Sequence, residues 1–322
     1  MNVVINISTI SMMLLVSAAN AQDAFPVKPV RLVVPYAPGG PTDVLARILG
    51  QKWGERWGQP VIVDNRSGGN GVIGAEFVAR AAADGYTLLL GNTSVLTINP
   101  TVYAKLPYDA EKQFSPITLT VAAPLILVVH PSLSVNSVKE LIALAKSRAA
   151  TLTYASAGTG GVANMSGELL KIMSKIDMVH VPYKGAGPAV TDLVSGQVAM
   201  TFTSTVSVMP FVKAGRLRGL AVTTPKRAPT LPDIPAIAET VPGYDVSPWY
   251  GVLAPAGTSA SVIQKVHAET VRIVAAPDVA QRLSLDGGTV VNSTPEEFTR
   301  VLREERAKWS RVVREARIKV AG

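Results

Sequence analysis

The sequence predicts a two-lobed α/β protein, each lobe a mixed sheet flanked by helices, with the lobes joined by two hinge crossings. Three observations predict it. Short β-branched runs alternate with helical patterns along most of the chain, the mark of α/β layering. Glycine-rich loops follow a strand and open a helix at two distant places, Pro38-Gly39-Gly40 and Gly158-Thr159-Gly160-Gly161. Two strand-like segments, 117–130 and 249–254, bracket a second α/β set, so one domain is built from both ends of the chain and the other is inserted.

Residues 1–21 contain no Lys, Arg, Asp or Glu. An apolar run, 3–16, is followed by small residues ending Ala19-Asn20-Ala21, which reads as an exported leader cleaved behind Ala21. Asn6, Ser8, Thr9 and Ser11 make the run too polar and too short for a membrane span. No later uncharged stretch is long enough, so the remaining chain is expected to be a soluble exported protein.

The first domain is expected at 22–122 together with 249–322, and the second at 123–248. Val30–Val34 reads as a strand, 43–53 as a helix with Leu45, Ile48, Leu49 and Trp53 on one face, and 61–63 as a second strand. A short helix at 74–83 and a strand at 86–90 complete a βαβαβ unit, whose connections should be right-handed and whose strands should be parallel. In the insert, a helix near Val138 opens on a capping box, Ser137 with Glu140. Strands are expected at 152–155, 178–181, 198–202 and 220–223, and the proline-rich 225–242 reads as a surface connection leading back. A last helix starts after Ser293 or Thr294 with Pro295 in its first turn. Phe298, Val301, Leu302, Trp309, Val312 and Val313 recur on it at helical spacing.

Composition excludes several classes. The chain has 322 residues, of which 48% are hydrophobic, far too apolar for a disordered chain. There is no cysteine, which removes thiol nucleophiles, Cys-zinc sites and disulfides. The three histidines, His130, His180 and His267, are too scattered for a helical metal motif, and no metal or other cofactor is expected. The net charge of +8 is partly local. The last helical pattern carries eight cations, from Arg300 to Lys319, against five acids. Its signs are mixed and its aromatics are not interleaved with the cations, so it reads as a solvated amphipathic face and not as a nucleic-acid surface.

The candidate site residues lie on loops at the carboxyl ends of strands, where open α/β sheets take ligands. Pro35 to Asp43 joins the first strand to the first helix. Its glycines let backbone N–H groups approach an anion at the helix start, and Thr42 or Asp43 can equally serve as a helix cap. Ser156 to Asn164 does the same in the second domain. Gly158, Gly160 and Ala163 there also satisfy the dinucleotide pattern G-x-G-x-x-A. Against that reading, Asp177 precedes the next strand instead of ending it. The loop suits a small anion better. Asn65 to Gly71, Thr93 with Ser94, and Thr203 to Thr205 follow other strands and add hydroxyls. Hydrolase signatures are absent: no G-x-S-x-G, H-E-x-x-H or S-x-x-K occurs. His180 reads as a strand residue facing a core or cleft, and Lys184 as an exposed turn residue.

These residues carry a resemblance. Pro26-x-Lys28-Pro29-Val30-Arg31-Leu32-Val33-Val34-Pro35, Pro38-Gly39-Gly40-x-x-Asp43 and Ala46-Arg47 resemble the Bug family, the extracytoplasmic receptors of tripartite tricarboxylate transporters. Asp84-Gly85-Tyr86-Thr87-Leu88, Phe114-Ser115-Pro116-Ile117, Val181-Pro182-Tyr183-Lys184-Gly185 and Trp249-Tyr250-Gly251-x-x-Ala254-Pro255 continue it in order. The resemblance implies a periplasmic binding protein of type 2, a Venus flytrap that is not an enzyme. It implies a small organic carboxylate held between the first loop (Ala37, Pro38, Gly39, Gly40, Thr42, Asp43) and the second (Ser156, Gly158, Thr159, Gly160, Asn164). Thr93, Ser94, Tyr183 and Ser204 complete the expected set, and membrane transporter subunits are the expected partners. Where many relatives carry Asp, this chain has Thr203, which removes a partner for a ligand ammonium and favours a non-amino carboxylate. An exported hydrolase or dinucleotide-dependent enzyme is the alternative, and a surface adhesin a third class.

Overall fold

The computed structural model describes residues 25–147, 151–285 and 287–318. The expected leader and its cleavage point lie outside the described residues. The first lobe opens with β1 (Val30–Val34), α1 (Pro41–Trp57), β2 (Val61–Asn65), α2 (Val72–Ala79) and β3 (Thr87–Asn92), followed by the short α3 (Asn99–Val102) and by β4 (Phe114–Ala122). The second lobe contains β5 (Leu125–Val129), α4 (Val138–Ser147), β6 (Thr153–Ser156), α5 (Val162–Ser174), β7 (Val179–Pro182), α6 (Ala186–Val194), β8 (Met200–Ser204), α7 (Thr205–Lys213) and β9 (Arg218–Val222). The chain returns through β10 (Trp249–Pro255), α8 (Ala260–Val274), α9 (Pro277–Leu285), β11 (Thr289–Val290) and α10 (Pro295–Glu315).

Two mixed sheets result, with strand orders β11-β4-β10-β3-β1-β2 and β7-β6-β8-β5-β9. β1 pairs in parallel with both β2 and β3, as the βαβαβ pattern requires. Four of its five residues are apolar because helices cover both faces of its sheet, and the exception, Arg31, pairs with Asp64 of β2 at 2.7 Å. Val30, Leu32 and Val34 enter one core cluster with Leu45, Leu49 and Trp53, while Val33 joins Leu89 and Phe298 in another.

The lobes meet at the two crossings. The strand-like stretch 117–130, which Ala122-Ala123-Pro124 interrupts in the sequence, forms two strands, β4 and β5, parted at Ala123-Pro124, since proline cannot donate to a ladder. The Ala123 amide donates to the Pro248 carbonyl at 2.8 Å, so the two crossings are bonded to each other. Thr93 and Thr223 anchor them on either side. Trp249 N–H donates to the Thr93 hydroxyl at 2.9 Å, and Leu125 N–H to that of Thr223 at 3.0 Å.

Three helices differ from expectation, the first being α2, which spans Val72–Ala79 in place of 74–83. Helix α1 begins at Pro41, whose missing N–H costs nothing at the first position, and runs on to a left-handed Gly58 (φ 65°). Helix α10 starts from Thr294, where Thr294 and Glu297 form a capping box, and stops at Glu315. Arg317 turns left-handed beyond it (φ 54°). Arg317 therefore lies outside the helix and Lys319 outside the described residues, so α10 carries less excess positive charge than its pattern promised. Its apolar stripe serves both lobes. Phe298 and Leu302 pack with Trp249 and Leu253 of the first lobe, and Trp309, Val312 and Val313 with Leu169 and Leu170 of the second.

Candidate ligand-binding cleft

The loops that follow β1 and β6 and the direct junction of β8 with α7 converge between the lobes. Each leads into a helix whose cap residue, Gly40, Gly161 or Ser204, gives no side-chain hydrogen bond to the helix start. The first N–H groups of a helix have no partner within the helix. The positive ends of α1, α5 and α7 are therefore open to an anion. Their leading residues, Pro41, Val162 and Val206, line one inner chamber of about 120 Å³, whose floor is made by the crossing residues Ala123, Pro124 and Pro248. Among the described residues no charged side chain lines it. An outer chamber of about 430 Å³ adjoins it through shared Pro41, Ser204 and Val206, and adds Gly39, Val44, Ser207 and Arg282.

The first loop is shaped by Asp43. Its carboxylate is buried, accepts the Gly39 amide and Arg47 Nε at 2.9 Å each, and accepts Asn65 Nδ2 at 3.0 Å. Arg47, with the Gly39 amide and Asn65, holds the Asp43 carboxyl below the ordinary carboxylate value. Asp43 thus fixes the loop from behind. Gly39 turns left-handed at φ 88°, a conformation glycine takes without strain. Gly40 is extended and has no neighbouring heavy atom within 4 Å of the place where a Cβ would stand. Ala37 and Pro38 are exposed at the loop tip, and Thr42 is buried in the first turn of α1.

The second loop repeats the device with other residues. Asn164 Oδ1 accepts the Gly160 amide at 3.0 Å, again four residues back. Asn164 Nδ2 donates to the Tyr154 hydroxyl at 2.7 Å, which donates to Glu168 Oε1 at 2.5 Å. Lys171 completes the chain 3.2 Å from Glu168 Oε2. On the other flank, Ser156 Oγ bonds the Gly158 carbonyl at 2.9 Å, accepts the Gly158 amide at 3.2 Å and lies 2.6 Å from His180 Nε2. Burial pushes His180 below the usual histidine value of 6.5, so it is neutral at pH 7. Thr159 is exposed at the tip. Asp177, the candidate ribose acid of the dinucleotide pattern, lies 3.6 Å from Lys171.

Of the expected site residues, Thr93, Ser94 and Ser204 line the inner chamber and Gly39 the outer one. Thr93 accepts from Trp249, which leaves its own O–H to donate. The Tyr183 hydroxyl is committed to Asp192 at 2.7 Å. The apolar walls were not anticipated: Leu45, Val206, Tyr250 and Leu283 come from four separate elements. For Pro41, Val162 and Val206 a signal existed, since each follows within two residues of a loop residue already singled out. Among the described residues, no group of three or more His, Cys, Asp or Glu could hold a metal, and no helix is long and apolar enough to cross a membrane.

Known proteins share this architecture. Residues 45–318 match the family model of the tripartite tricarboxylate transporter family receptor. Protein BugT of Bordetella pertussis is 34% identical over 307 residues, covering 95% of this chain and 94% of its own length. The solved structure of Rpa4515 from R. palustris with adipate superposes with a TM-score of 0.83 at 36% identity, covering 92% of this chain and 99% of that one. MatC (Rpa3494) from Rhodopseudomonas palustris with bound malate gives a TM-score of 0.78 at 33% identity, covering 90% of this chain and all of the other. Family and neighbours are binding receptors, which removes the enzyme alternative. The fold is that of the two-lobed type 2 periplasmic binding proteins, and the chain belongs to the Bug family of tripartite tricarboxylate transporter receptors.

Proposed function

We propose that this chain captures a small organic carboxylate between its lobes in the periplasm and presents it to the membrane subunits of a tripartite tricarboxylate transporter. In this reading residues 1–21 are the leader, removed behind Ala21, and the lobes turn about 122–125 and 246–249. The observation that carries the reading is the convergence of three uncapped helix starts on one chamber that no charged side chain lines among the described residues. A carboxylate only accepts hydrogen bonds, and these groups only donate. The hydroxyls of Thr93, Ser94 and Ser204 add donors from both lobes. Ligand then favours the closed form, because only there do both lobes contact it. Neighbours solved with adipate and malate support the same ligand class.

The chamber also favours a ligand without an ammonium group. Among the described residues no acid lines either chamber, and the nearby Asp43 carboxylate is buried and engaged by three donors. Calorimetric titration of ligand-stripped protein with mono-, di- and aromatic carboxylates, each beside its 2-amino analogue, tests both points. Heat is expected with a carboxylate and weaker binding with its amino analogue. No heat with any carboxylate would remove the proposed ligand class, and a preference for the amino acids would remove the second point.

A further inference from the structure

We propose that Arg282 selects for a second anionic group on the ligand, so that the preferred solute is a dicarboxylate with an apolar spacer. The proposal rests on the carboxylate reading above and extends it to the far end of the molecule. Among the described residues, the inner chamber is lined by no charge and the outer chamber by one, the Arg282 guanidinium. Arg282 thus supplies the single charged side chain among the described residues lining either chamber. It is exposed and forms no ion pair with a described residue. Many arginines of this chain are otherwise engaged: Arg31 and Arg66 with Asp64, Arg47 with Asp43, Arg56 with Glu269, Arg227 with Glu239.

A cation in the last turn of α9 also complements that helix's dipole. The dipole explains a positive charge at that position, but not its place in a chamber wall that also includes Gly39, Ser204 and Ser207. One carboxylate is served by the helix starts of the inner chamber. Pro41 and Val206, which the two chambers share, and Val44 beyond them give the connecting segment an apolar path outward. A second carboxylate emerging there meets a guanidinium whose planar fork suits bidentate pairing.

The test is calorimetry with matched pairs of equal carbon count: succinate with butanoate, glutarate with pentanoate, adipate with hexanoate. Wild-type protein, R282Q and R282K are compared, with melting temperatures measured beside them. Hydrogen bonds to charged groups in a partly open site support a change of about tenfold. The wild type should prefer the best dicarboxylate over its monocarboxylate by about that factor. R282Q should abolish the preference, and R282K should keep part of it. If R282Q leaves the ratio unaltered, or weakens both members of a pair equally, Arg282 is not the selecting residue and the carboxylate reading stands. If the wild type binds no member of any pair, the failure lies with the carboxylate reading itself. R282K guards against a folding defect in R282Q: a well-folded R282K with wild-type ratio and wild-type affinity for each member overturns the requirement for the guanidinium fork.

Discussion

Gly40→Val separates the proposed contact from the fold. Gly40 has φ −81° and ψ 170°, an extended backbone that a branched residue adopts readily. A Cβ at that position meets nothing within 4 Å, so the substitution meets no steric barrier in the protein itself. Valine is a poorer helix cap than glycine, a loss of about 1 kcal/mol at most. The loss is offset by about 0.4–1 kcal/mol through restriction of the unfolded chain. The net change should stay within about 1 kcal/mol, or roughly 2–4 °C in melting temperature. Binding should respond very differently, because the new methyl groups stand where a ligand oxygen would approach the amides of Thr42 and Asp43. Losing two charge-assisted hydrogen bonds of about 1.5–3 kcal/mol each weakens binding by roughly 10² to 10⁴. Titration calorimetry and thermal melting of the same preparation give both quantities. Gly74→Ala is the contrast, since its Cβ would lie 2.7 Å from Pro35 Cα and the damage would fall on folding. Gly40→Val with a wild-type melting temperature and an affinity within about threefold of wild type would refute the placement of the carboxylate at the start of α1.

Two further outcomes follow from the second loop. Tyr154→Phe removes the hydroxyl that links Asn164 to Glu168 and strands a buried amide donor; a loss of about 1–3 kcal/mol is expected, read as a fall in melting temperature together with weaker ligand binding, and an unchanged melting temperature would contradict it. Because burial holds His180 below 6.5 in the folded protein, the unfolded chain takes up the proton first as pH drops. Stability contributed by neutral His180 is therefore complete above pH 6.5 and declines as pH falls from 6.5 toward the folded value. Melting curves between pH 7.5 and 5.5 should show that slope in wild type and a shallower one in His180→Gln, whereas equal slopes would assign the effect to other groups.

Much of the architecture was legible because the determinants are local. The β-branched runs at Val30–Val34 and Leu125–Val129 need no distant partner to be read as strands, and Ala123-Pro124 announces the break between β4 and β5. The glycine-rich loops could be found for the same reason. The roles of Asp43 and Asn164 could not. Each accepts the amide of a glycine four residues back, and which way such a side chain turns depends on burial by the rest of the lobe. The chamber walls are harder still, since Tyr250 and Leu283 reach the cleft only through the return of the chain after the inserted lobe. The end of α10 was misjudged because the left-handed Arg317 breaks a helical pattern that its side-chain types would continue.

The central claim is that open helix starts, and not a fixed positive side chain, hold the first carboxylate. Titration of the ligand-free mature protein at pH 7.5 with a bound carboxylic acid and then with its primary amide tests this most directly, with thermal melting as an independent readout. The two ligands share shape, but the amide replaces one accepting oxygen by a donor that would face other donors. The acid should bind and raise the melting temperature in proportion to its occupancy, and the amide should bind at least about 100-fold more weakly, equivalent to roughly 2.7 kcal/mol. Equal affinity for acid and amide would contradict the account.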